Sequence, residues 1–151
     1  MKISIKKAKN SDLPDILELY ADSDIDNGKK LDINAAKKQF DKILTYPNYN
    51  VYVAIHDDEI IGTFELLIMD NLAHLGAPSA IVEDVVVHKD YRGQSVGKQM
   101  MLFAMDESKK AGCYKMVLSS NMRRDRAHHF YESLGFEKYG FGFRITFETK
   151  T

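Results

Sequence analysis

The chain has 151 residues, 44% of them apolar and 28% charged, with a formal net charge of −1. These are the proportions of an ordinary single globular domain, here read as 1–151, with enough length to bury a real core and no global field that would gather nucleic acid. One cysteine, Cys113, rules out an internal disulfide framework and suits a reducing compartment. The lysine-rich start, MKISIKKAKN, has no long apolar run behind it, so neither a signal peptide nor a membrane span is expected and cytoplasm is the expected location.

Residues 2–8 alternate, Ile3 and Ile5 against Lys2, Ser4 and Lys6, which predicts a half-buried strand. Ser11 is placed to cap a helix over about 12–21, with Pro14 tolerable in its first turn. Polar residues 22–32 read as a loop. A second helix over roughly 33–45 sets Ile33, Ala36, Phe40 and Leu44 at helical spacing and ends before Pro47. A hairpin follows: Val51, Val53 and Ile55 alternate with Tyr52, Ala54 and His56, Asp57-Asp58-Glu59 turns, and Ile60–Met69 returns. Residues 70–79 form a loop with Gly76 and Pro78, and 80–88 an apolar strand.

The next helix, from about Ser95 to 110, carries Val96, Met100, Phe103 and Ala104 on its inner stripe. Lys109 and Lys110 stand near its negative end and Gly112 stops it. Tyr114–Ser119 is a strand, about 126–134 a helix ended by Gly135, and Phe136–Phe147 an aromatic-rich β segment. No repeat or linker divides the chain.

The most informative stretch is IVEDVVVHKDYRGQSVGKQMM, residues 81–101. A β-branched strand runs through a turn with two glycines into a helix. That arrangement aims several unpaired N–H groups and the positive helix end at one point, which favours an anion, most often a phosphate. A nucleotide-triphosphate loop is excluded: three residues, not four, separate Gly93 from Gly97, and Gln99 follows Lys98 where a hydroxyl would hold magnesium. The dinucleotide fingerprint fails too, for want of its three-glycine spacing and of βαβ units.

Arg92-x-x-Ser95-x-Gly97, after a strand and opening a helix, resembles the (Q/R)-x-x-G-x-(G/A) signature of the GNAT superfamily of N-acetyltransferases. A second segment agrees: Ala127-His128-His129-Phe130-Tyr131-Glu132-Ser133-Leu134-Gly135-Phe136 is similar to that family's A-x-x-x-Y-x-x-x-G-F. The element order matches over essentially the whole chain. The resemblance implies an α/β (α+β) GNAT fold: a central, mostly antiparallel twisted sheet, splayed at the acetyl-CoA site and flanked by about four helices. One departure is Ser95, where the family has the first motif glycine, a residue used where a side chain would obstruct close backbone approach.

The resemblance further implies acetyl-CoA as cosubstrate and no metal. Its pyrophosphate would rest on the N–H groups of Arg92, Gly93, Gln94, Ser95, Val96, Gly97 and Lys98. The pantetheine arm would pair with the backbone of Val85, Val86 and Val87, as an added strand, and the Val85 amide would face the thioester carbonyl. Asn121 or Arg124 would reach the cofactor as well. Glu83 matches the catalytic glutamate of many members and would act as base, directly or through a water. Tyr131 matches the tyrosine that hydrogen-bonds the CoA sulfur and would act as acid. Strand alternation points Asp84 to the opposite face from Glu83 unless a bulge intervenes. Cys113, between a helix-stop glycine and a strand and without an evident histidine partner, reads as inert.

For the acceptor, EDVVVHKDYRGQ and GCYKMVL resemble family members that acetylate glucosamine 6-phosphate, and LSSN with Ala127-His128-x-Phe130-Tyr131 those that acetylate aminoalkylphosphonates. Both act on amines that carry a phosphorus oxyanion, and Arg123, Arg124, Arg126, His128 and His129 could supply counter-charges. The expected partner is therefore a small amine, anionic or polar, with His74 shaping its pocket. Two other readings stay open: a non-catalytic acyl-CoA-binding module, and a protein lysine or N-terminal acetyltransferase. A homodimer through the aromatic segment Tyr139–Phe147 is also expected.

Overall fold

A computed structural model of the chain describes residues 1–149; the last two residues of the expected domain, Lys150 and Thr151, lie outside the described residues. The chain divides into two compact units, Met1–Leu118 and a C-terminal unit that begins at Ser119.

The first unit is built on five strands, β1 (Ser4–Lys7), β2 (Tyr49–His56), β3 (Glu59–Met69), β4 (Ser79–Val87) and β5 (Lys115–Leu118). They lie side by side in chain order; the first three pairings are antiparallel and β4–β5 is parallel. The β2–β3 hairpin turns through Asp57 and Asp58, both at positive φ (47° and 65°). That is the two-residue turn whose twist matches the flanking strands, and aspartate tolerates it.

Three helices belong to this unit: α1 (Leu13–Ala21), α2 (Ile33–Ile43) and α3 (Val96–Lys110). Period-two alternation divides β2 between two layers. Val51 and Val53 pack with Leu13 and Ile16 of α1 and Ala36 and Phe40 of α2. Tyr52 points the other way, stacked on Phe64 at 5.2 Å and meeting Phe103 of α3 edge-on at 5.1 Å. Both faces of β2 are thus buried, and fully burying a side chain such as Phe64 is worth about 2–3 kcal/mol. Helix α3 lies so close to β3 that a Cβ on Gly62 would stand 2.8 Å from Met100 Sδ.

Helix ends follow local chemistry, with one correction. Asp32 caps α2, its Oδ1 accepting from the N–H groups of Asn34 and Ala35 at 3.0 Å. Ser11 does not cap α1. A short 3-10 turn, Asn10–Asp12, precedes that helix, and the Asp12 carboxylate takes the Lys9 N–H at 2.9 Å. Gly112, at φ 77°, ends α3 as expected, its N–H returning to the Lys109 carbonyl.

In the C-terminal unit the described residues hold one helix, α4 (Asp125–Ser133), ended by Gly135 at φ 92°. The β segment expected over Phe136–Phe147 is not present among the described residues. Its alternation is real, but a strand exists only through hydrogen bonds to a neighbour. Here Phe141, Phe143, Ile145 and Phe147 remain at least three-quarters exposed.

Candidate functional site

Two devices in the first unit meet on β4. The first is an opening in the sheet. β4 and β5 pair only from Ser79↔Lys115 to Val82↔Leu118, where β5 ends while β4 runs on to Val87. On that side Glu83, Asp84, Val85, Val86 and Val87 have no partner strand among the described residues, so their backbone can receive an extended ligand.

The second lies where β4 leaves the sheet. The His88 N–H donates to the Ile61 carbonyl at 2.8 Å, a 3-10 turn covers Lys89–Tyr91, and Arg92 Nε donates to the Val87 carbonyl at 3.1 Å. Gln94 Nε2 donates to the Asp90 carbonyl at 2.9 Å. So held, the loop passes Gly93 (φ 75°) and Ser95 (φ 65°) into α3. The backbone N–H groups of Gly93, Gln94, Ser95, Val96, Gly97 and Lys98 donate to no acceptor among the described residues. Six free donors at the positive end of a fifteen-residue helix form a receptor for a multiply charged anion.

Ser95 occupies the left-handed region, which explains why glycine suits the position. A side chain there costs roughly 1–2 kcal/mol, against which glycine loses about 0.5–1 kcal/mol in chain entropy. Ser95→Gly is therefore expected to stabilise the fold by about 0.5–1 kcal/mol, measurable by chemical denaturation. A destabilised variant would show that the serine hydroxyl contributes more than its backbone costs.

The opened part of β4 is also irregular. Thr63 faces Val86 and Glu65 faces Glu83, so Asp84 and Val85 together oppose Phe64, with Asp84 at φ 50°. This is a β-bulge, the condition under which the alternation argument for Asp84 fails. Asp84 is within electrostatic reach of Glu65, Glu83, Tyr20 and Tyr49 rather than isolated from them.

Around Glu83 the sheet therefore gathers carboxylates and phenols. Glu65 stands directly across from Glu83, a register that sets their Cβ atoms about 5 Å apart. Tyr49 Oη donates to the Glu65 carboxylate. Tyr20 Oη, from α1, is buried beside Thr63 and within electrostatic reach of Glu65 and Asp84. Burial, and then the Asp84 charge, pushes the Glu83 carboxyl above its ordinary range. Burial raises Glu65 as well, with the Tyr49 hydrogen bond opposing and Asp84 and Glu83 adding, while Asp84 is raised by burial and then by Asp26. Both phenols are pushed up, first by burial.

Sequence reasoning singled out Glu83 but missed Glu65, Tyr49 and Tyr20. The signal for Glu65 was available: it is the lone carboxylate inside the apolar run of β3, IIGTFELLIM. The tyrosines carried no such mark, since both sit at ordinary core spacing.

A raised carboxyl has a consequence for stability. Its favourable contribution is complete below the unfolded value, near 4.5 for Glu65, and is lost as pH rises through the higher folded value. Glu65→Gln is therefore expected to gain in melting temperature over the parent as pH goes from 5 to 7.5. A difference independent of pH across that window would contradict the burial of a strained charge.

The remaining sequence-singled residues lie in the C-terminal unit or on other loops. Asn121 Oδ1 accepts from the Arg123 N–H at 3.0 Å, and the Asn121 carbonyl from the Arg124 N–H at 3.0 Å and the His128 ring at 2.8 Å. Tyr131, on α4, packs against Phe130 and Phe136 with centroids at 5.2 and 5.6 Å. Burial raises its phenol while Arg124 opposes. His74 stacks on Tyr114 at 4.2 Å. Burial, with Asp70 nearby, holds the Cys113 thiol above its usual range.

Residues 13–136 match the family model described as acetyltransferase (GNAT) family. The chain is 32% identical over 114 residues to the aminoalkylphosphonate N-acetyltransferase of Salmonella typhimurium, covering 76% of this chain and 73% of that protein. It is 35% identical over 80 residues to the glucosamine 6-phosphate N-acetyltransferase of Trypanosoma brucei brucei, covering 53% and 52% respectively, about half of each. Among solved structures, one titled as a transcriptional regulator from Bacillus halodurans superposes with a TM-score of 0.89 at 27% identity, covering 97% of this chain and 100% of that one.

Proposed function

Since this chain belongs to the GNAT family of acetyltransferases, we propose that it transfers the acetyl group of acetyl-CoA to the primary amine of a small molecule, by direct attack within a ternary complex. The observation that carries this reading is the pairing of the unpartnered β4 backbone, Glu83–Val87, with six unengaged N–H groups at the start of α3. A diphosphate fits the second and an amide-bearing arm the first. Both are main-chain features that ask little of the side chains, which is why Ser95 in place of glycine is compatible with binding.

Acetyl-CoA supplies an activated acyl carbon: the new N–C bond forms as the C–S bond breaks, the amine loses a proton and the thiolate gains one. An alkyl ammonium of pKa about 10 gives up its proton at neutral pH at a cost of roughly 4 kcal/mol. Glu83 takes that proton. Its raised carboxyl lies closer to the working pH than an ordinary one, which suits a base that must also release the proton afterwards. The Val85 amide, within the bulge, offers a donor to the carbonyl oxygen. We assign Tyr131 the proton for the departing thiolate, and Asn121 and Arg124 contacts to the cofactor, on their match to the family segment. The single cysteine suits a cytoplasmic setting, and the exposed aromatic alternation of 141–147 supports a homodimer.

Calorimetry with acetyl-CoA, followed by a thiol-release assay over a panel of primary amines, tests the proposal. Binding with turnover of at least one amine is the expected result. No heat with acetyl-CoA or coenzyme A would overturn the assignment. Tight binding without turnover of any amine would favour a module that holds acyl-CoA.

A further inference from the structure

Beside the Tyr49–Glu65 pair an open recess of about 590 Å³ lies between the end of α2 and strands β2 and β3. Its walls are mostly apolar and aromatic, with Ile43, Tyr46, Tyr49, Leu67 and Met69 among them, and Asp70 stands at its rim. No Lys, Arg or His is among the lining residues. Tyr49 joins the recess to the carboxylates, since its ring forms a wall and its hydroxyl donates to Glu65. Leu67, two residues on, shares the sheet face of Glu65.

With no cationic side chain and an aspartate at its rim, this lining disfavours a phosphate or phosphonate. It suits the opposite charge. Glu65 and Glu83 are like charges directly across a strand pair, an arrangement that is destabilising unless a cation lies between them. An ammonium provides three donors for that gap. From Glu65 along β3 to Asp70, just past its end, an extended chain covers about 16 Å. That is too far for one ammonium and a natural span for a flexible methylene chain bearing nitrogens at intervals, its apolar stretches lying on Ile43, Tyr46 and Met69.

We infer that the acceptor is an aliphatic di- or polyamine: its reacting nitrogen is held by Glu65 beside Glu83, its methylenes fill the recess, and a second ammonium faces Asp70. The inference rests on the acetyl-transfer reading for the step itself, in which the N–C bond replaces the C–S bond and the displaced proton goes to Glu83. Glu65 is then a positioning residue and Asp70 sets specificity. The conclusion departs from the anionic form of the expected acceptor, because the carboxylates of β3 and β4 and a recess without cationic side chains come together only in the fold.

The test compares spermidine and a diaminoalkane series with 2-aminoethylphosphonate and glucosamine 6-phosphate, by thiol release and by calorimetry without acetyl-CoA. Spermidine is expected to exceed both anionic amines at least tenfold in kcat/KM, with an optimum chain length in the diaminoalkane series. Asp70→Asn should raise the spermidine KM about tenfold with kcat little changed. Glu65→Gln should weaken spermidine binding about tenfold while acetyl-CoA binds as before. Preferred turnover of either anionic amine overturns the inference and leaves the acetyltransferase reading standing. Spermidine turnover indifferent to Asp70→Asn overturns it as well. If no amine is acetylated, calorimetric binding of spermidine that is weakened in Glu65→Gln still upholds the cation-binding recess, and its absence removes it.

Discussion

Glu83→Gln is expected to lower kcat by about 10²–10⁴-fold, the usual range for removing a positioned proton acceptor, with acetyl-CoA affinity unchanged. The variant keeps the side chain's size on β4 and removes only its capacity to take a proton. In the parent, activity should fall on the acid side as pH drops through the raised Glu83 value, above the ordinary 4.5, because only the carboxylate accepts the proton. Glu65 and Asp84 titrate with it, so the acid limb reports the group rather than one residue. In Glu83→Gln that limb should disappear and the residual rate should climb with pH, following the free amine. Steady-state kinetics over pH 5–9 decide the matter. A loss of less than tenfold with the acid limb intact would move the role of base elsewhere, Glu65 being the nearest alternative by register.

Gly97→Asp separates fold from function in the anion receptor. Gly97 is the second residue of α3. A carboxylate there interacts favourably with the positive helix end, and aspartate replaces a poor helix former, so stability should hold or rise by up to about 1 kcal/mol. The same charge faces the bound diphosphate. Like charges a few ångströms apart near a protein surface repel by up to about 4 kcal/mol, so a hundredfold weakening of acetyl-CoA binding, about 2.8 kcal/mol, is expected. Calorimetry beside thermal denaturation reads both. Unchanged affinity in a well-folded variant would place the diphosphate away from α3 and remove the principal support for the proposed function.

Much of the fold was legible because it follows from local chemistry. The alternation of β2, the paired aspartates at 57 and 58 and the glycine stops at 112 and 135 each act over a few residues, within range of pattern reasoning. Phe136–Phe147 shows the opposite case: its period-two aromatics have the form of a strand, yet pairing is a property of a neighbour, and among the described residues none is supplied. Ser11 shows how a local rule is outcompeted, since Asp12 reaches the Lys9 N–H and a 3-10 turn takes the place of the cap.

For the site the division runs through β4. The chain alone determined a strand, a glycine turn and a helix start, and with them an anion receptor, because backbone donors are aimed by local conformation. It also marked Glu83, as a charge in an apolar run. Only the tertiary structure decided what surrounds that glutamate. The bulge that brings Asp84 into reach of the cluster is a mismatch between β3 and β4, visible in neither strand by itself. Glu65 gains its place through register, Tyr49 from one strand farther away and Tyr20 from a helix laid across the sheet. Charge in a recess is a sum over residues far apart in the chain, which is why motif reasoning led toward an anionic amine while the assembled carboxylates favour a cationic one.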